Sequence, residues 1–580
     1  MSNTPNYDAK VKTILDALKP GERVCALTGE KWMMDEEEIS WYKKFNVPPH
    51  PWSPLTRMKQ LASFYTIYQF WYQKHPETGK DIVTGVHPGS GWKVLPDKEW
   101  FDRDFADNNF EPNLSLPVFE QMAKFKEMIP MPATKVVEVP ENSLSLASLG
   151  ETNDFFTLAV RGQNNCYAID ALDLESSLDI VVGSSISNSY QVTQSHRIHN
   201  SKFIYYCFDC INSLFLFDCR NCENCFGATN KRYKKYLWFN EQLTQDEYEK
   251  RIAEVDLSCR SKMKEWKDKF DQFMQEQGIW PENFNEHCTN VVGEFTRNAI
   301  DCKYIFGGTD GPYRDMYQIL YAYGNCNDCA WSAAPVSSNN TYLINTSVSS
   351  AQVKFCMNVK ECQDCEYCFY SYNCESCFGC VGLRNKKYHI FNKEYNEDDY
   401  WQMIDQIKCH MLENGEYGNF FPTHFSTAYF PYAGGWAYYN CDEEEGKRLG
   451  ALQYELEAFG ATGPTPDPDF VVESSHVPNC LVDLDAERWS KKHLFDSQFG
   501  RRFRLLTQEI DFYKKHKLAP PNRHFIFRIR KLLKEQNSAV FSKTVCGSCN
   551  KSVTLTINFA RPHRKIYCRE CYLEYLEKYG

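Results

Sequence analysis

Small or apolar residues recur at every third position across residues 326–383. Cys362, Cys365, Cys368, Cys374, Cys377 and Cys380 lie on this lattice, with Ser371 in the one gap. Backward it runs through Val359, Cys356, Val353, Ser350, Ser347, Ile344, Thr341, Ser338, Pro335, Ser332, Cys329 and Cys326. A longer period is superimposed: Cys362 to Cys374, Cys365 to Cys377 and Cys368 to Cys380 are each twelve residues. A helix repeats every 3.6 residues and an isolated strand every two. A period of three inside twelve needs a chain that returns to the same place after each turn and stacks on itself. The pattern predicts a β-solenoid with small residues lining a narrow core.

The pattern occurs twice. Cys207, Cys210, Ser213, Leu216, Cys219, Cys222, Cys225 and Ala228 form an earlier lattice that extends upstream through Ile204, Ser201 and Ile198 to Ile180. The copies are offset by 152: Cys225-Phe-Gly matches Cys377-Phe-Gly, Lys234-Lys-Tyr236 matches Lys386-Lys-Tyr388, and Phe239-Asn240 matches Phe391-Asn392. Each is followed by a helical pattern. Thr244-Gln-Asp-Glu247 is a capping box opening a helix expected to reach Gln277, and Asn396-Glu-Asp-Asp399 starts its counterpart. A weaker likeness joins the two ends of the chain at an offset of 471: Tyr42-Lys-Lys with Tyr513-Lys-Lys, Arg57 with Arg528, Leu61 with Leu532, His75 with Cys546.

The fold expected is therefore mainly β with helices: two duplicated parallel β-solenoid-like, cysteine-rich domains flanked by two ribbon modules of treble-clef or zinc-ribbon type. The expected boundaries are residues 1–105 for a degenerate N-terminal ribbon, 106–287 and 288–412 for the two solenoids with their helices, 413–498 for an aromatic, turn-rich connector, and 499–580 for a basic C-terminal ribbon. In the N-terminal ribbon, a helix after Ser53 is expected to carry Met58, Leu61, Tyr65, Tyr68 and Trp71 on one side. Residues 106–140 carry a short amphipathic pattern in Met122, Phe125 and Met128. The run Gly463-Pro-Thr-Pro-Asp-Pro-Asp469 marks a boundary.

Composition narrows the class. The 580 residues are 43% hydrophobic and 15% aromatic, enough for cores and unlike a disordered chain. There is no apolar leader and no run of about 18 apolar residues, so a soluble, cytoplasmic protein without membrane contact is expected. Of the 26 cysteines, 17 fall in the two repeat blocks. In a reducing compartment such a set serves packing or metal chemistry rather than disulfides, while a disulfide scaffold would need export. Buried thiols behave as small hydrophobes, and here they share positions with Ser, Val, Ala and Ile, which cannot ligate a soft metal. Core packing is thus the first reading of the lattice cysteines, with metal or iron–sulfur binding and redox sensing as the others. His196 and His199 are expected on the surface.

The sharpest chemical signal is at the C-terminus. Cys546-Gly-Ser-Cys549 and Cys568-Arg-Glu-Cys571 are two CxxC pairs, the spacing with which four thiolates hold one tetrahedral zinc. A hairpin between the pairs, with its alternation at Thr554 to Asn558, is expected to bring them together. Cys25 has the look of half such a site, with Thr28, Ser53 and Thr56 where further ligands would stand. Net charge is −11, yet residues 501–580 hold eighteen Lys and Arg against six Asp and Glu, a surplus of twelve, leaving −23 on the rest. That asymmetry suggests a polyanion such as RNA or DNA, contacted by Arg523, Arg528, Arg530, Lys531, Lys534, Arg564 and Lys565. The competing reading has these charges docking the module onto the protein's own acidic body. No GxSxG, phosphate-loop or HExxH motif occurs, and Asp209, Asp310 and Asp315 match no catalytic pair spacing.

The chain resembles a family of uncharacterised cysteine-rich zinc-ribbon proteins abundant in candidate-phyla bacteria with reduced genomes. The residues that carry the likeness include Cys25 with Thr28-Gly29, Ser53-Pro-Leu-Thr-Arg57, Thr78-Gly-Lys-Asp-Ile82, residues 377–388, Phe420-Phe-Pro422 and Phe503-Arg-Leu through Tyr513-Lys-Lys. That family carries CPxCR elements where this chain has Ser53 and Thr56, and Asn522 to Phe527. The resemblance implies architecture and the loss of metal ligands there. It implies no activity. Taken together, the expectation is a non-catalytic, zinc-containing repeat scaffold that binds another macromolecule. Its rivals are a nucleic-acid-binding protein, a self-assembling surface-layer or virus-particle protein and a polysaccharide-cleaving solenoid.

Overall fold

The computed structural model describes residues 2–308 and 310–580. It is mixed α/β with mainly parallel sheets, in two compact units. One comprises Met1–Ala133 and Asn285–Ala461, the other Thr134–Phe284 and Thr462–Gly580. Each unit therefore holds one lattice block and one end of the chain. The second boundary falls beside the proline-rich run.

In the unit holding residues 134–284, a ten-stranded sheet includes Cys166–Glu175, Leu178–Ser187, Tyr190–His199 and Lys202–Tyr205, all parallel neighbours. The register is twelve: Ile180 lies beside Val192 and Val192 beside Ile204. Single bridges continue it, from Leu214 to Phe226 to Trp238. The other unit has a six-stranded parallel sheet whose members include Ala299–Gly308, Tyr313–Ala322, Cys326–Val336 and Asn339–Val348, with successive offsets of fourteen, thirteen and twelve residues. Its single bridges run from Met357 to Phe369 to Val381.

The period of three has a backbone cause. The residue before nearly every lattice site takes a left-handed conformation, as at Asn200, Phe203, Tyr206 and Asp209, with φ of 45°, 61°, 56° and 54°. Each such residue turns the chain, so twelve residues make four corners. Asn and Asp recur at these corners because they tolerate positive φ; Val182, at 60°, is held there against the preference of a β-branched residue. Lattice side chains point inward. Ile180, Ile204, Cys207, Cys219, Cys365 and Cys377 are all fully buried.

Inside, thiols and hydroxyls do the same work. Ser189 Oγ donates to Ser187 O at 2.8 Å and accepts from Ser201 N at 3.2 Å, one coil further on. Cys207 Sγ faces Tyr205 O at 3.3 Å and accepts from Cys219 N at 3.3 Å. Cys365 Sγ reaches Gln363 O at 3.3 Å and Cys374 O at 3.5 Å. A small side chain with one donor satisfies backbone groups that the tight corners leave over. At the end of each stack Asn240 and Asn392 play matching parts, their Oδ1 atoms accepting from Thr229 N and Val381 N at 2.9 Å.

The chain ends also match, element by element, at the 471 offset. Hairpin Gly21–Val24/Lys31–Met34, helices Glu36–Phe45 and Pro54–Ala62, hairpin Trp71–Lys74/Asp81–Thr84 and helix Asp97–Asp102 follow in one unit. In the other come His493–Asp496/Arg501–Phe503, Thr507–His516, Phe525–Glu535, Phe541–Val545/Ser552–Thr556 and Arg569–Tyr579.

Several expectations are corrected. The helix after Ser53 stops at Ala62, so Tyr65 and Tyr68 lie beyond it and Trp71 opens a strand. The helix after Thr244 is two, Gln245–Ala253 and Arg260–Gln277, parted at Cys259. Cys259 forms a disulfide with Cys480 across an antiparallel bridge, against the expectation of reduced thiols. His196 is fully buried, its Nδ1 2.7 Å from Ser184 Oγ, while His199 is exposed.

Candidate metal centre

Cys546 ends the strand Phe541–Val545. The turn to Ser552–Thr556 closes through Cys546 N to Lys551 O at 2.8 Å and Asn550 N to Cys546 O at 3.0 Å, with Asn550 at φ 61°. Gly547 N donates to Ile566 O at 2.8 Å, which sets this turn against the strand Lys565–Tyr567. That strand delivers Cys568 as the N-cap of helix Arg569–Tyr579, and Cys571 lies within its first turn. The hairpin thus flanks the first CxxC pair. It does not lie between the two pairs as the sequence pattern suggested.

The four sulfurs lie within 4.8 Å of one another, with Cys549 Sγ 3.7 Å from Cys568 Sγ. A tetrahedral zinc with Zn–S bonds of about 2.3 Å requires S–S edges of about 3.8 Å, so the set fits such an ion. Backbone donors are already aimed at sulfur: Ser548 N and Cys568 N reach Cys546 Sγ at 3.4 and 3.2 Å. Burial disfavours ionisation of Cys546, but N–H groups of Cys568, Cys549 and Ser548 outweigh it and hold the thiol down to about 6. Cys546 and Cys568 are buried, Cys571 half-buried and Cys549 exposed. The ion pair of Lys551 Nζ with Glu570 Oε1, at 3.1 Å, lies on the exposed side.

The centre is anchored to the stack of its own unit. Tyr572, next to Cys571, hydrogen-bonds to buried Asp218. Arg232 Nη2 lies 3.0 Å from the Tyr572 hydroxyl and 3.1 Å from Asp218 Oδ1. Strand Ile279–Pro281 pairs in parallel with Lys565–Tyr567.

Three related turns lack the four-thiol set. His75, which matches Cys546, closes the same turn through Lys80 O and Gly79 N. Its Nδ1 accepts from Glu77 N and Thr78 N at 3.1 and 3.2 Å, and its Nε2 lies 2.8 Å from Glu99 Oε2. Arg103 pairs with both Glu99 and Glu77. At Cys25, the sulfur lies 3.6 Å from Thr56 Oγ1, itself 2.9 Å from Ser53 Oγ. Its counterpart Asp496 takes Arg523 Nε at 2.8 Å and His524 N at 3.0 Å. In each, hydrogen bonds close the turn, with ion pairs beside His75 and Asp496. Among the described residues, Cys546, Cys549, Cys568 and Cys571 are the one group of three or more such side chains that could share an ion.

The basic residues are dispersed. Arg528 is buried between Asp179 and Glu509, at 3.1 and 3.8 Å, and is not presented to a phosphate. Arg523 lies 3.7 Å over the Phe527 ring while bonding Asp496. Arg564 donates to Thr556 O and lies 5.2 Å over Trp280. Arg530 and Lys534 are half-buried; Lys531 and Lys565 are exposed. Sequence separation hid these engagements, since Asp179 is 349 residues from Arg528. Of the carboxylates considered for catalysis, Asp209 is paired with Arg197, and Asp310 accepts from Tyr313 Oη and Gly324 N within its turn.

No helix among the described residues is long and apolar enough to cross a membrane. No protein-family model matches the chain, and neither a curated protein nor a solved structure does.

Proposed function

We propose that this chain is a non-catalytic repeat scaffold of two β-solenoids, each bearing a ribbon module, which holds another macromolecule in the cytoplasm. One module is locked by zinc at Cys546, Cys549, Cys568 and Cys571. The observation that carries the reading is the four-thiol cluster, tied through Tyr572 to the buried Asp218 of a stack. Zinc there supplies a cross-link between two CxxC pairs, and so fixes a small module with little core of its own. The burial of the lattice cysteines supports packing as their task, and their bonds to backbone carbonyls support it too. The chain's likeness to the cysteine-rich zinc-ribbon family belongs to the same reading. Elemental analysis of the purified full chain should find one zinc. A chain with all thiols reduced and no zinc would overturn the metal part, and turnover of a polysaccharide panel would overturn the non-catalytic part.

A further inference from the structure

The corner residues of successive coils stand in rows. In the unit holding residues 285–461, one row runs Asp301, Asp315, Asp328, Asn340, Gln352, Asp364, each at a left-handed corner with φ between 50° and 56°. The strand registers place each beside the next. Neighbouring strands lie about 4.8 Å apart, so the row is a ladder of carboxylate and carboxamide groups roughly 24 Å long.

Two adjoining cavities of about 500 and 480 Å³ lie along this ladder, with Lys44 in the wall of both. Helix Glu36–Phe45 forms the wall beside the first three rungs through Glu37, Ser40 and Trp41. Helix Glu397–Glu413 forms it beside the last three through Tyr400, Trp401 and Lys408. Most charge in the groove is already paired: Lys44 with Asp328, Lys303 with Glu37, and both Lys354 and Lys408 with Glu366. Lys408 is nearly buried, its side chain 8% exposed. Asp301 and Asp315 form no ion pair among the described residues, and Asp364 feels the charge of Lys354 without an ion-pair contact.

The geometry points to a groove for an extended, uncharged glycan. Each ring of such a chain offers adjacent hydroxyls to carboxylates and carboxamides, and the ladder presents one such group per coil. An apolar ring face suits the half-buried indole of Trp401. With four lysines against six carboxylates, the groove gives a polyanion no net attraction, and the apolar side chains in its wall, Phe45, Phe378, Tyr400, Trp401 and Ile404, gather beside the last three rungs. The proposal rests on the scaffold reading and names the class of macromolecule held.

Affinity electrophoresis of the full chain through gels containing hydroxyethylcellulose, xylan or galactomannan tests it. At least one polymer should retard the protein. Trp401→Ala should abolish the retardation. Gln352→Gly should weaken it roughly two- to tenfold, the worth of one hydrogen bond; glycine takes the left-handed corner without strain, so the coil survives. Unchanged mobility with all three polymers overturns the proposal. So does capture of poly-lysine that Asp315→Asn removes, which would make the ladder a cation-binding surface. Zinc content is measured on the same samples, so a glycan-negative chain that holds its metal refutes the groove and leaves the metal part of the scaffold reading standing.

Discussion

Arg528 Nη2 donates to Asp179 Oδ1 at 3.1 Å, a buried ion pair between a terminal module and a stack corner. The position 152 residues beyond Asp179 is Trp331, and the position 471 residues before Arg528 is Arg57. Those two also meet, with the Arg57 guanidinium 4.0 Å over the indole and bonded to Tyr342 Oη at 2.7 Å. The surroundings are shared: Glu38 with Tyr42 in one unit, Glu509 with Tyr513 in the other. One docking joint is thus built twice, once with a carboxylate against the arginine and once with an aromatic face.

Neutralising that carboxylate leaves a buried guanidinium with Glu509 as its nearest anion at 3.8 Å. Asp179→Asn should therefore cost about 3 kcal/mol, the scale for breaking a buried pair from one side. Asn also accepts positive φ, so the corner itself is not strained. Urea unfolding followed by the fluorescence of Trp280, which lies in the same unit, reads the loss; an unchanged midpoint would contradict it.

Glu366 titrates in the opposite sense from a lone buried acid. Burial pushes its carboxyl up, but Lys354, Lys408 and the Tyr417 hydroxyl outweigh burial and hold it down to about 2, from 4.5. A carboxyl with a depressed folded value stabilises above its unfolded value and loses that contribution as pH falls through the folded one. The gap corresponds to about 3 kcal/mol. The stability difference between the wild type and Glu366→Gln should be full at pH 6 and shrink from about pH 4.5 toward 2. A difference independent of pH over that window would refute the assignment.

Stripping metal with a strong chelator should unfold the hairpin Phe541–Val545/Ser552–Thr556 and release Tyr572 from Asp218. Amide exchange in residues 541–580 should rise while Cys166–Glu175 and its neighbouring strands stay protected. Cys568→Ser should have the same effect without chelator. Cys25→Ser should leave metal content unchanged and cost less than about 1 kcal/mol, because a hydroxyl can keep the hydrogen bonds its sulfur makes with the Thr28 and Thr56 side chains and with the backbone of Ser53 and Thr28. A fall in bound zinc in that variant would show ligation through Cys25.

The lattice thiols should be interchangeable with serine and intolerant of bulk. Cys368 Sγ faces Glu366 O at 3.6 Å and Cys356 Sγ accepts from Cys368 N at 3.3 Å, the bonds that Ser189 and Ser201 make elsewhere with oxygen. Cys368→Ser should shift stability by about 1 kcal/mol or less. Cys368→Leu should cost about 1–3 kcal/mol through overpacking. Thermal unfolding of the two variants decides; equal losses would mean that volume is not what the interior selects.

The inward rows were legible because a fully buried position admits few side chains and repeats at the period of the coil. The corners were also written in the sequence, as Asn and Asp one place before Ser201, Cys210, Ser213 and Cys219, but their meaning needs the sign of φ. The CxxC spacing disclosed the four-thiol group that could hold an ion. It did not disclose that the hairpin wraps the first pair, since strand limits follow from pairing across the turn. The basic module's surplus of charge was legible, but not where each charge is spent. Counting charge along the chain cannot show that Arg528 is consumed by Asp179, or Arg523 by Asp496. The Cys259–Cys480 disulfide spans 221 residues and lies off every lattice, so no local pattern announced it.

A corner at every third residue gives each stack something like a reading frame. Removal of twelve residues deletes one storey and leaves every other side chain facing as before. Removal of one or two would swing each downstream inward residue onto a corner or an outer wall, and the interior would lose its seal. The chain departs from twelve where the coil can absorb it, as between Ala299 and Tyr313, which lie side by side fourteen residues apart with glycines at 307 and 311 taking positive φ. Length variation in a protein built this way should come in whole storeys or at glycine-bearing corners, and single-residue slips elsewhere should be the changes it tolerates least.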